Sequence, residues 1–303
     1  MSDSAPDSMT VFDRRLVRQR RERAAAGWDG FDFLIRETAD RLVERLDDIA
    51  RTFPVALDLG CHGGEVASAL DGRGGIETLI QADLAPAMVR RAAATHGGPV
   101  LACDEEALPV APGSLDAILS NLSLHWVNDL PGALVQARQA LRPDGLFLAS
   151  LLGGATLSEL RTCLADAEIE ITGGLSPRTS PLADVRDVGN LLSRAGFALP
   201  TVDADLITVR YESPLRLFQD LRGMGESNAV LMRRKGLGRR DVLMRAAELY
   251  LDRHASADGR APATFEVITL TAWAPDPSQP KPLPPGSGRA NLSDALTGPD
   301  TLH

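Results

Sequence analysis

Apolar residues recur along this chain in two periods. Over residues 12–53 the spacing is helical. "FDRRLVRQRRERAA" is a basic helix candidate carrying Arg14, Arg15, Arg18, Arg20, Arg21 and Arg23, and "DFLIRETADRLVERLDDIARTF" sets Leu34, Leu42, Leu46 and Ile49 at helical intervals. From Val55 short apolar runs take over: "VALDLG" (55–60), "TLIQADL" (78–84), "PVLACDEE" (99–106), "LDAILSNLSL" (115–124) and "GLFLASLLG" (145–153). These read as strands, with helices such as "GEVASAL", "APAMVRRAAAT" and "DLPGALVQARQAL" between them. Such alternation predicts a parallel sheet covered by helices.

Beyond Gly154 the periodicity predicts two helices, "TLSELRTCLADAEIEI" and "LADVRDVGNLLSRAGF", and then an exposed alternating strand, "TVDADLITVRYES". Two further helices, "SPLRLFQDLRGMGESN" and "RRDVLMRAAELYLDRHA", precede a last strand in "ATFEVITLTAWAP" (263–275). The division expected is a disordered N-terminus (1–11), a helical segment (12–53), a main domain (54–275) with helical insertions around 156–197 and 213–255, and a flexible Pro-rich tail (276–303).

Composition removes several function classes. Acids outnumber Lys and Arg, 41 to 32, for a formal charge of −9. That argues against nucleic acid as a partner. No apolar run approaches the roughly 20 residues that span a bilayer, and the first residues show no signal or transit peptide. The three cysteines, Cys61, Cys103 and Cys163, show no metal or disulfide spacing. A cytoplasmic bacterial protein is expected; the Arg14–Arg23 run is a solvated helix face or a docking surface, with contact at the inner face of the membrane left open.

The candidate chemistry lies where the strands end. Asp58 ends the first strand, Gly60 turns the chain, and Gly64 opens the helix that follows, a nucleotide-binding arrangement. Asp83 ends the second strand, where an acid accepts hydrogen bonds from ribose hydroxyls, and Asp104 follows the third, within reach of an adenine amino group. Neither a P-loop nor a G-x-G-x-x-G fingerprint is present. D-x-G-x-x-x-G remains, and it resembles the S-adenosylmethionine loop of class I methyltransferases. After the fourth strand, Asn121, Ser123, His125 and Trp126 leave the sheet edge over the cofactor's reactive end. His125 is a candidate general base or a helix-capping residue; Trp126 offers a ring face to a cation or caps the core.

"SNLSLHWVNDLPGALVQARQALRPDGLFLASLLGGATLSELR", "GGLSPRTSPLADVRDVGNLLSRAGF", "DLRGMGESN" and "PATFEVI" closely resemble the complex I assembly factor 5 family, over nearly the whole chain. The resemblance implies an α/β class I methyltransferase fold with a Rossmann-like seven-stranded sheet, and S-adenosyl-L-methionine as cofactor. It also implies hydroxylation of an arginine of the iron–sulfur subunit beside the quinone site of complex I, instead of methylation. The family's cofactor positions fall on Asp58, Gly60, Gly64, Asp83 and Asp104, with Asn121 beside them. Its active-site features fall on Ser123, His125 and Trp126, with Glu226, Ser227 and Asn228 as substrate residues; no metal site is read. The alternative is true methyl transfer to a small molecule or carrier-bound carboxylate, of the malonyl carrier-protein type. A third reading is a non-catalytic assembly chaperone. One position departs from the family's "DLGCGRG": His62 stands where glycine is usual, and its side chain is expected to face solvent.

Overall fold

The computed structural model describes residues 10–236 and 238–280; most of the expected N-terminal and Pro-rich tails lie outside these. Seven strands form one sheet in the order β3-β2-β1-β4-β5-β7-β6. They are β1 (Val55–Leu59), β2 (Thr78–Asp83), β3 (Val100–Ala102), β4 (Leu115–Ser120), β5 (Leu141–Leu152), β6 (Ala198–Tyr211) and β7 (Ala261–Trp273). β1 to β5 pair in parallel, and β7 runs antiparallel between β5 and β6. "VALDL" is apolar throughout save its acid because β1 is central and covered on both faces. "ALPTVDADLITVRY" alternates and keeps charges because β6 is an edge, half of it facing water.

Helices α1 (Arg14–Ala24), α2 (Phe33–Glu44), α3 (Glu65–Leu70), α4 (Pro86–His96), α5 (Leu130–Ala140) and α7 (Val185–Arg194) accompany the sheet. One core joins α2 and α3 to β1, β4 and β5 through Leu42, Val43, Ala56, Val66, Leu119 and Leu148. Another lies under α5 and α7. Helices α6 (Ser158–Thr172), α8 (Pro214–Gly223) and α9 (Arg240–His254) pack with the first half of β7 and reach Trp28, Leu34 and Met88. A cap thereby closes over the edge where β1 and β2 end.

Two expected strands end early. β3 stops at Ala102, so Asp104 lies in a turn closed by Ala107 N–H on its carbonyl. β4 stops at Ser120, and Leu124–Trp126 form a single helical turn.

Candidate functional site

Strand order reverses between β2-β1 and β4-β5, the crevice where open α/β sheets bind ligands. Asp58, one residue before the end of β1, and Asp83, which ends β2, stand on one side of it, and Asn121 follows β4 on the other. Gly60 adopts φ +79°, a conformation that side chains resist, and a Cβ there would lie 2.1 Å from Ser123 Oγ. The glycine therefore lets the β4 segment come down onto the loop.

What fills this crevice is an arginine from the N-terminal helix. Arg21 is 1% exposed, its guanidinium 3.3 Å from both Asp83 Oδ2 and Glu105 Oε1, and it donates to Ser123 Oγ at 3.0 Å. Ser123 in turn donates to Glu105 at 2.7 Å. One turn pair earlier on the same face, Arg14 bonds Asp104 at 2.6 Å and also Glu105. Burial alone lifts a carboxyl's pKa, but here Arg21, Arg14 and the Ser123 hydroxyl outweigh it and hold Glu105 at about 2. The acids in turn raise Arg21 above its ordinary value despite its burial.

Asp83 is further fixed by Ala85 N–H on Oδ1 and His62 N–H on Oδ2. Asp58 differs: it is fully buried, and neither carboxylate oxygen has a hydrogen-bond partner. Burial first, and then the charges of Glu65 and Asp83, push its pKa well above the usual value.

The expectation that His62 faces solvent is overturned. It is 2% exposed, stacks on Trp28 at 5.6 Å, and its Nε2–H donates to the Asn121 carbonyl at 3.0 Å. The reason is room: the Trp28 indole, anchored by its N–H on Glu65, supplies an aromatic wall that a glycine would leave empty. Burial and then the nearby Arg21 charge lower the His62 pKa. Asn121 spends its side chain internally, its amide donating to Ile35 and its oxygen accepting from Ser150.

A second constellation adjoins the first. Glu226 accepts from His125 Nε2 at 3.0 Å and from Trp126 Nε1 at 3.0 Å, across a hundred residues of sequence. Burial opposes its ionisation, but the His125 and Trp126 contacts keep its pKa below the ordinary carboxylate value. These three residues border a cavity of about 250 Å³ whose walls include Leu34, Leu152, Leu160 and Phe265. Arg161 and Arg178 also line it; Arg178 pairs with Glu168 at 2.8 Å, and Arg161 bonds the Gly154 carbonyl. The Trp126 ring is packed edge-on against Phe12 at 5.3 Å, its N–H directed to Glu226. Ser227 and Asn228 line the same cavity, Asn228 donating to the Pro177 carbonyl.

The structure thus brings His125, Trp126 and Glu226 together, and links Ser123 to Asp83 through Arg21. Asp104 stands apart, partly exposed on Arg14. Glu105 and Trp28 join the site without being singled out in the sequence, and Arg21 reads there only as part of a basic helix. The signal for Arg21 and Glu105 is charge complementarity between "RRLVRQRRERA" and "CDEEALP"; Trp28 carries none.

A sheet of this order with acids at the ends of its first two strands defines a class I methyltransferase fold. Residues 57–149 match the family model described as "Methyltransferase domain". The Haemonchus contortus phosphoethanolamine N-methyltransferase 2, solved in complex with S-adenosyl-L-methionine, superposes with a TM-score of 0.53 at 15% identity, covering 86% of this chain and 60% of that one. The chain itself belongs to the arginine-hydroxylase NDUFAF5 family: the Danio rerio member is 41% identical, covering 97% of this chain and 92% of that protein. More distant is the malonyl-[acyl-carrier protein] O-methyltransferase of Methylovorus, 32% identical over 88% of this chain and 90% of its own length.

Proposed function

We propose that this protein binds S-adenosyl-L-methionine and hydroxylates an arginine of the quinone-side iron–sulfur subunit during complex I assembly. The observation that carries the reading is the part-buried His125–Glu226 pair in the wall of an apolar cavity. An arginine substrate needs an anion for its guanidinium and apolar walls for its methylene stem. Glu226, held ionised, meets the first need, and Leu152, Leu160 and Phe265 meet the second.

The residues at the crevice fit the cofactor chemically. Asp58, buried without a partner, suits the cofactor's ammonium group, and Asp83 suits the ribose hydroxyls. Asp104 remains our candidate for the adenine end. Bound there, S-adenosyl-L-methionine supplies an electrophilic sulfonium centre and a positive charge. The chain's own task is to make room: Arg21 must leave Asp83 before a ribose reaches it, and Ser123 must release the space above Gly60. His125, donating from Nε2, then holds Glu226 in place. Trp126, donating to the same carboxylate, fixes its second oxygen. We assign the reaction to the cytoplasm, where an unassembled subunit is reachable.

One observation favours a second reading. Arg161 and Arg178 line the same cavity, and guanidinium groups suit the free carboxylate of a malonyl-type acyl chain. Peptide mass spectrometry of the host's iron–sulfur subunit, with and without this gene, separates the two. Hydroxylation predicts an arginine peptide one oxygen lighter in the deletion strain. An unchanged peptide, with S-adenosyl-L-methionine converted to S-adenosylhomocysteine in vitro as malonyl carrier protein becomes its methyl ester, would establish methyl transfer.

A further inference from the structure

On the outer side of α1 a second cavity, of about 600 Å³, opens between the Arg20–Phe31 stretch and α8. Arg20, Arg23 and Arg222 line it, with Phe31, Gln219 and Ser227. Neighbouring Arg18, Arg21 and Arg233 each have a carboxylate partner. Among the described residues, no carboxylate pairs with Arg20, Arg23 or Arg222. Arg20 instead donates to the Ser227 carbonyl. Burial, and then the like charges of Arg233 and Arg23, lower its pKa from the ordinary guanidinium value.

A chain of net charge −9 thus gathers around one concavity three guanidinium groups that form no ion pair with a carboxylate among the described residues. Gathering like charges costs free energy that an anion would recover. A carboxylate would return one charge; a phosphate monoester returns about 1.5 to 2 and offers the oxygens that guanidinium forks bind bidentately. The cavity's volume is that of a small-molecule site. Phe31 supplies a fixed apolar wall. Its ring lies so close to α8 that a Cβ on Gly223 would sit 2.2 Å from it, and the Arg216 guanidinium stands 5.8 Å from its centroid.

We propose that this cavity binds a phosphate-bearing ligand, clamped by Arg20, Arg23 and Arg222, with Phe31 against the group the phosphate carries. The site is independent of the reaction proposed above, yet Ser227 lines both cavities, so the two share a wall. An occupant spans α1 and α8 and braces the helix that carries Arg21 into the crevice.

The test is calorimetric titration of the full chain with inorganic pyrophosphate. One saturable site is expected, and the exposed pair Arg23→Ala/Arg222→Ala should weaken it at least about tenfold while leaving the circular dichroism spectrum unchanged. Arg234→Ala/Lys235→Ala, outside the cavity lining, should leave binding intact. Absence of saturable binding to the wild type, or equal binding by the Arg23/Arg222 variant, would overturn the proposal. Flotation with phosphatidylcholine vesicles doped with phosphatidic acid then separates the sources. Vesicle binding that pyrophosphate displaces points to a lipid headgroup; pyrophosphate binding without vesicle binding points to a soluble phosphate ester.

Discussion

Arg21 lies 3.3 Å from Asp83, a guanidinium from the N-terminal helix set against the acid that ends the second strand. Both are essentially excluded from water. The pair, completed by Glu105, closes the crevice with charges that need one another. Removing one member of such a group strands the others, at a cost of about 3–5 kcal/mol. Arg21→Ala should therefore lower unfolding stability by about that amount in urea titration. A loss below about 1 kcal/mol would mean that Arg21 is solvated in solution and the crevice open.

Stability on the acid side follows from Glu105. Its folded pKa, about 2, lies below the ordinary 4.5, so its contribution is complete above pH 4.5 and disappears as pH falls through 2. Glu105→Gln should be less stable at neutral pH and should lose the part of the acid-side decline that belongs to this carboxyl. Urea midpoints measured across that pH window decide it; parallel curves for variant and wild type would refute the assignment.

Asp58 has the opposite sign. Its pKa is raised from the ordinary 3.8, so the folded state favours the protonated form, and stability is lost as pH rises above 3.8 toward the folded value. Asp58→Asn should melt at a higher temperature than the wild type at pH 7, with the difference shrinking in acid. It should also lose S-adenosyl-L-methionine binding, a cost in stability retained for a ligand. A lower melting temperature at pH 7 would show that the carboxylate has partners in solution.

His62→Gly restores the residue usual in the resembling family while removing the stack on Trp28 and the bond to Asn121. It should cost about 1–3 kcal/mol in stability and open space beside the Gly60 turn. Tighter S-adenosyl-L-methionine binding by calorimetry is the expected gain. Weaker binding would make His62 part of the cofactor's seat.

How far these features could be read beforehand differs residue by residue. The central strands were legible because a doubly covered parallel strand leaves an almost unbroken apolar run, as in "VALDL" and "LDAILS". Asp58 and Asp83 stood out because each ends such a run. The inner face of α1 was not legible. Val17, Arg21 and Ala24 are its buried positions, and a buried arginine reads as surface in any hydropathy pattern. Glu105 was not legible for the same reason: in "CDEE" only the tertiary fold decides which acid turns inward. Glu226 lies a hundred residues from His125, and only family resemblance connected them.

The pairing of His125 with Glu226 at the cavity wall is the centre of the functional account, and one measurement addresses it directly. A deletion strain is complemented with either the wild-type gene or Glu226→Gln, and the target arginine peptide of the iron–sulfur subunit is weighed. The wild type should restore the added oxygen, and Glu226→Gln, folded and present at equal abundance, should leave the peptide one oxygen lighter. Full restoration by Glu226→Gln, or a methyl in place of the oxygen, would contradict the account.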